Sequence, residues 1–319
     1  MRVRACSRIS LLLAFTAATC FCHAQTYRVG ALWPGPERNE AFVQALADAG
    51  YREGKNLVIE SVHADWKLER FQELAQELVQ RKPDLIFAPT RGTALAAQRA
   101  TRTIPIVFAL APDPVESGLI ASLARPGGNV TGTSNIQTGL TAKRLQLLDE
   151  TVPGLQRIGA IYDSTDAVAK DQLRELQDSA AKSKRELHTI AANRVDEYER
   201  AFTGLRKLRV GAVFVTGSIA SFRQREAIAT LAKDQRLPTM FAAREYVEAG
   251  GLISYGPDLT ALYWQSAGYV DRILKGARPA DLPVQQPTKF EMLVNLKTAK
   301  ALSLKVPQSI LIRADRVIE

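Results

Sequence analysis

Thr90-Arg91-Gly92-Thr93 stands where an apolar run, Leu85 to Ala88, gives way to a helical pattern. A threonine there can cap the helix, and free N–H groups at Gly92 and Thr93 would point at an anion. Arg91 would add a charge-assisted contact to the same anion. The same residues equally describe a capped helix start with Arg91 in solvent. Asp113, between Pro112 and Pro114 in a rigid turn, offers a counter-charge for an ammonium group or a cap for the next helix. Later in the chain, Ser218 and the pair Arg244-Glu245 follow strand-like runs in the same way, and Asn135 lies just past an extended stretch. Trp33 and Tyr255 either sandwich a flat or apolar ligand or belong to the core. Together these residues are the candidate ligand contacts.

Catalysis finds less support. No Walker loop, H-E-x-x-H, G-x-S-x-G or G-x-G-x-x-G appears. Beyond His23 only His63 and His188 are present, and a lone imidazole needs partners placed around it. All three cysteines fall within the first 24 residues. Neither a metal nor a cofactor is expected, and the chain is read as a binding protein rather than an enzyme.

Those first residues have the layout of a secretory signal peptide. Arg2, Arg4 and Arg8 precede the short apolar run Ile9 to Ala18, and Cys22-His23-Ala24 offers a cleavage site before Gln25. The run is too short to cross a bilayer, which takes about 20 residues. Export and release are expected, leaving residues 25–319. Without the three arginines the formal charge falls from +9 to +6, and charges of both signs are interspersed. That is a solvated surface rather than a nucleic-acid footprint. An apolar content of 46% supplies a sizeable core, and the length suits two domains.

The elements that must position the candidates alternate regularly. Strand-like runs at Tyr27 to Trp33, Leu57 to Val62, Leu85 to Ala88 and Ile104 to Ala109 are separated by helical patterns. Short helical and extended pieces follow, at Leu119 to Leu123 and Val130 to Ser134. The alternation then restarts with strands at Ile158 to Tyr162, His188 to Ala192, Ala212 to Thr216 and Thr239 to Phe241. An extended piece at Leu252 to Gly256, a helix over Leu262 to Lys275, and a tail of one strand and two helices end the chain. This rhythm predicts an α/β protein: two lobes with parallel sheets, helices on both faces, and a cleft between the carboxyl ends of the strands.

Several stretches resemble the ABC transporter substrate-binding protein family that includes tryptophan-binding, TrpX-like members. They are Ser122-Leu123-Ala124-Arg125-Pro126-Gly127-Gly128-Asn129-Val130-Thr131-Gly132, Ile104 to Ala109 with Asp113-Pro114, Ile273 to Gly276 with Pro279 to Pro283, Val294 to Leu302, and Arg313-Ala314-Asp315. Two positions depart from the family pattern. Arg91-Gly92 stands where alanine and proline are common, and Ser303 where glycine is often found. The resemblance implies a type I periplasmic-binding-protein fold, with two Rossmann-like lobes closing by a hinge on a small ligand. Lobe 1 is expected to comprise residues 25–133 plus 257–284, and lobe 2 residues 134–256 plus 285–319. It also implies a monomeric periplasmic protein that hands an amino acid or related organic acid to an inner-membrane ABC permease and its ATPase, without nucleic-acid partners. A periplasmic sensing module on the same fold, or an exported hydrolase, are the alternatives.

Overall fold

The computed structural model describes residues 25–137 and 139–319. The segment read as a signal peptide, with its three cysteines, lies outside the described residues. The first lobe contains β1 (Tyr27–Trp33), α1 (Glu40–Asp48), β2 (Leu57–His63), α2 (Phe71–Gln80), β3 (Leu85–Phe87), α3 (Arg91–Ala100), β4 (Ile106–Phe108) and β5 (Val130–Gly132). Its five strands lie in the order β2-β1-β3-β4-β5 and all pair in parallel. The short central strands are apolar throughout because both faces are covered. Ile86, Ile106 and Phe108 pack beneath α2 and α3, while Leu85, Phe87 and Val107 pack beneath α1.

The second lobe contains α4 (Thr141–Thr151), β6 (Arg157–Tyr162), α5 (Ala167–Lys182), β7 (Glu186–Ala191), α6 (Val195–Lys207), β8 (Ala212–Val215), α7 (Ile219–Arg223), α8 (Arg225–Asp234), β9 (Thr239–Phe241), α9 (Arg244–Glu248) and β10 (Ile253–Pro257). The chain then returns to the first lobe with α10 (Leu259–Leu274), whose Ala267, Tyr269, Val270 and Ile273 join the cluster around Trp33 and Phe42. It closes on the second lobe with β11 (Phe290–Asn295), α11 (Leu296–Ala301), α12 (Gln308–Leu311) and β12 (Arg316–Ile318). The seven strands there run β12-β11-β10-β9-β8-β6-β7, with β10 and β11 the antiparallel pair. The structure is thus the expected two-lobed α/β architecture, with one antiparallel step that the sequence pattern did not reveal.

Three crossovers link the lobes, and the first and third are tied to each other. Thr133 bridges to Gln285, and the Ser134 N–H donates to the Gln285 carbonyl oxygen (2.8 Å). The Thr131 hydroxyl donates to the Leu282 carbonyl oxygen (2.7 Å). Two local expectations are corrected. Leu119 to Leu123 forms no helix; the N–H groups of Leu119 and Ile120 both turn back onto the Pro114 carbonyl oxygen, burying the two side chains. The end of the tail is not a helix either, because Arg316 to Ile318 find a free edge on β11 and pair with it in parallel.

Candidate functional site

A cavity of about 870 Å³ lies between the carboxyl ends of the two sheets. From the first lobe it is bordered by the loops after β1, β2, β3 and β4, and from the second by those after β6, β8 and β9. Asn135 and Gln137 of the first crossover and Leu259, Thr260 and Tyr263 of α10 border it from the hinge.

On the first-lobe wall, α3 starts with a reciprocal cap. The Thr93 N–H donates to the Thr90 hydroxyl (3.4 Å), and the Thr90 N–H donates to the Thr93 hydroxyl (3.0 Å). Thr93 is thereby consumed in the cap and fully buried, while Thr90, Arg91 and Gly92 border the cavity. The N–H groups of Arg91 and Gly92 have no acceptor within the helix, as at any helix start. The Arg91 guanidinium donates no hydrogen bond among the described residues. Space at Gly92 is tight, since a Cβ there would meet the Phe71 ring at 3.0 Å and the ring would have to shift.

The second-lobe wall repeats the device. The Ser221 N–H donates to the Ser218 hydroxyl (3.0 Å) at the start of α7, and Ser218 borders the cavity. Asp166 caps α5 by accepting from the Ala169 N–H (3.0 Å). Burial raises its pKa, a shift opposed by that hydrogen bond and by the positive charge of Arg91 on the other lobe. Glu245, in the first turn of α9, also borders the cavity. Its pKa too is raised by burial, against the pull of Arg244. Its Oε2 is buried with no hydrogen-bond partner, and so are Asn135 Oδ1 and Gln137 Oε1.

Several expected contacts sit elsewhere. Trp33 touches the cavity yet is only 1% exposed. Its Nε1 donates to the Ser61 hydroxyl (3.1 Å), and its ring stands edge-on to Phe42 and Phe87. Tyr255 stacks on Phe290 within the second lobe, so no Trp33–Tyr255 sandwich forms. Asp113, with φ of +47°, anchors a turn by accepting the Ser117 N–H on its carbonyl oxygen; Pro112, not Asp113, borders the cavity. Arg244 is turned to the hinge, 3.4 Å from Glu291 and 3.5 Å from Asp258, and donates to the Thr260 hydroxyl (2.5 Å). Neither His63 nor His188 borders the cavity.

Sequence reading passed over Gln137, Asp166, Trp66, Phe222 and Tyr263, all on the cavity wall. Asp166 carried a usable signal, an aspartate just before a helical pattern. It also missed Arg144, wholly buried in α4, which donates to the carbonyl oxygens of Tyr255 and Gln137 (2.7 and 3.1 Å). Burial lowers its pKa to about 10, with Glu175 opposing the shift, so it is charged at neutral pH.

Residues 36–318 match the family model described as ABC transporter substrate binding protein. A tyrosine-binding protein of Clostridioides difficile (strain R20291) is 30% identical over 266 residues, spanning 83% of this chain and 76% of that protein. Among solved structures, a conserved domain protein from Vibrio cholerae O1 biovar El Tor N16961 superposes with a TM-score of 0.84 at 28% identity, covering 92% of this chain and all of that one. An ABC domain in complex with L-Trp from Streptococcus pneumonia gives 0.79 at 26% identity, covering 91% of this chain and all of that one.

Proposed function

The chain belongs to the ABC transporter substrate-binding protein family, a family of solute-binding proteins rather than enzymes, and from that premise we propose that it captures a free α-amino acid, aromatic ones included, by closing its two lobes on it. One observation carries the ligand class. Three residues that each hold a buried acceptor without a partner, Asn135 (Oδ1), Gln137 (Oε1) and Glu245 (Oε2), border the same cavity as the start of α3 and Arg91. A buried polar atom left unsatisfied costs about 1–3 kcal/mol, so a set of them at one cavity fits a bound donor. An α-ammonium supplies three N–H donors. The α-carboxylate of the same molecule then meets Arg91 and the N–H groups at the start of α3. The named ligands of the two relatives, tyrosine and L-Trp, support this reading.

In this reading residues 25–133 with 257–284 form one closing body and 134–256 with 285–319 the other, turning about the three crossovers. Contacts to the ligand made only in the closed state drive the closure. The protein works as a monomer in the periplasm after removal of residues 1–24, and delivers its ligand to an inner-membrane ABC permease powered by a separate ATPase. Thermal unfolding of the purified protein in the presence of each common amino acid tests it. A ligand at about 100 times its dissociation constant adds about 2.7 kcal/mol of stability. If no amino acid raises the melting temperature, the reading fails.

A further inference from the structure

We propose that Trp66 is the specificity-determining wall of the cleft, selecting a flat aromatic side chain on the ligand; the inference rests on the amino-acid reading above. Trp66 borders the cavity and is only half-buried, yet it belongs to none of the hydrophobic clusters that make up the lobes. An indole outside the core needs another reason for its position. Its backbone is costly to hold there. Asp65 and Trp66 both adopt left-handed conformations, φ +53° and +63°, which bulky residues rarely enter and which cost on the order of 1–3 kcal/mol each.

The surroundings fix that conformation. The Trp66 N–H donates to the Pro34 carbonyl oxygen (2.7 Å), and the Ala64 N–H to that of Trp33 (3.0 Å), lacing the loop after β2 to the loop after β1. The indole lies flush on Gly35, where a Cβ would come within 2.4 Å of Cζ2. Glycine at 35 is thus the condition for tryptophan at 66. The cavity is also bordered by Leu68, Phe71 and Leu95, apolar side chains of the same lobe. The indole N–H donates to nothing among the described residues. A strained, laced and coreless tryptophan on the wall of a cavity with apolar lining is a surface kept ready for an apolar ring, and aromatic pairs gain about 0.5–1.5 kcal/mol beyond simple burial.

Calorimetric titration of the whole protein, Trp66→Leu, Trp66→Phe and Gly35→Ala with L-tyrosine, L-phenylalanine and L-leucine tests the proposal. The Trp66→Leu change is expected to weaken the two aromatic ligands about two- to tenfold while leaving leucine unchanged. Gly35→Ala, which displaces the indole, reproduces that loss, and Trp66→Phe restores most of the preference. L-phenylalanine, which does not absorb where tryptophan is excited, should also change the intrinsic fluorescence of the wild type more than that of Trp66→Phe. Trp264 lies away from the cavity, and Trp33, which touches it but is 1% exposed, supplies whatever change remains in Trp66→Phe. Aromatic binding with an unaltered aromatic-to-leucine ratio in Trp66→Leu overturns the wall but leaves the amino-acid reading intact. Absence of binding by all three ligands to the wild type overturns the wall, and the thermal survey of the other amino acids then decides the broader reading.

Discussion

Arg144 and Tyr255 are joined by a part-buried hydrogen bond, the guanidinium Nε donating to the backbone carbonyl oxygen at 2.7 Å. The bond ties the helix that opens the second lobe to the last strand before the chain returns to the first. Through Nη1 the same guanidinium holds the Gln137 carbonyl oxygen, so one cation braces two of the three crossovers. The third nitrogen, Nη2, is buried without a partner. Replacing Arg144 by Leu removes the donor from two part-buried carbonyl groups and is expected to cost about 1–3 kcal/mol in urea unfolding. Lysine, which lacks the planar fork, should recover less than half of that. Arg144→Leu at wild-type stability would show that this brace contributes nothing.

Asn135 should behave in the opposite sense. It is 6% exposed, and its Oδ1 has no hydrogen-bond partner among the described residues. Asn135→Ala removes a desolvated acceptor, so stability should change by no more than about 1 kcal/mol. Affinity for an amino acid should nevertheless fall about tenfold or more, because the ammonium loses a buried acceptor. A residue that served only packing would lose stability and keep affinity, and paired unfolding and calorimetric titrations separate the two.

The raised pKa of Glu245 sets a pH dependence. Burial is its main cause; Arg244 opposes it, while Glu248 and Glu291 reinforce it. A carboxyl group whose pKa is higher folded than unfolded stabilises the unliganded protein at low pH, and that contribution is lost as pH rises through the folded pKa. Ligand affinity runs the other way. An ammonium favours the ionised carboxylate, so binding should weaken as pH falls through the raised pKa of Glu245, with proton release on binding around it. Glu245→Gln should flatten the dependence. Asp166, raised by burial as well, faces the same cavity and would leave a residual slope.

How much of this was open to the sequence follows from which neighbours a residue has along the chain. Apolar strands such as Leu85 to Phe87 declare themselves because both faces are buried. The Thr90 cap is legible because capping is local. Trp33 could have been placed as well, since Val29, Ala31 and Trp33 share one face of β1 and that face packs under α1. The antiparallel step at β11, the left-handed Trp66 and the buried Arg144 depend on partners far along the chain. A Leu119-Ile120 pair reads alike whether it fills a helix or plugs a turn.

Gly256 tests the packing of the second-lobe wall. A Cβ at this position would lie 1.8 Å from the Ala242 carbonyl oxygen. That oxygen belongs to the loop after β9, and Ala242 and Ala243 both border the cavity. Gly256→Ala must push this loop toward the cleft or part β10 from β9. It should cost more than about 2 kcal/mol in urea unfolding, at the upper end for overpacking, and should weaken ligand binding as well. Unchanged stability would mean that the loop yields freely.

Ile219 offers a test of closure itself. It is the first residue of α7 in the second lobe, yet it packs against the first-lobe cluster that contains Phe71 and Ala94. This contact joins the lobes across the cleft, and it exists only when they are close. Closed-state contacts that do not involve ligand shift the unliganded population toward closure and so raise apparent affinity. Ile219→Ser removes apolar area worth about 1–2 kcal/mol from the closed state alone. The unliganded variant should therefore show a larger radius of gyration in small-angle X-ray scattering than the wild type. Its amino-acid affinity should fall about five- to thirtyfold, with the loss in the dissociation rate. A wild-type radius together with wild-type affinity would show that the Ile219 contact does not bias the lobes.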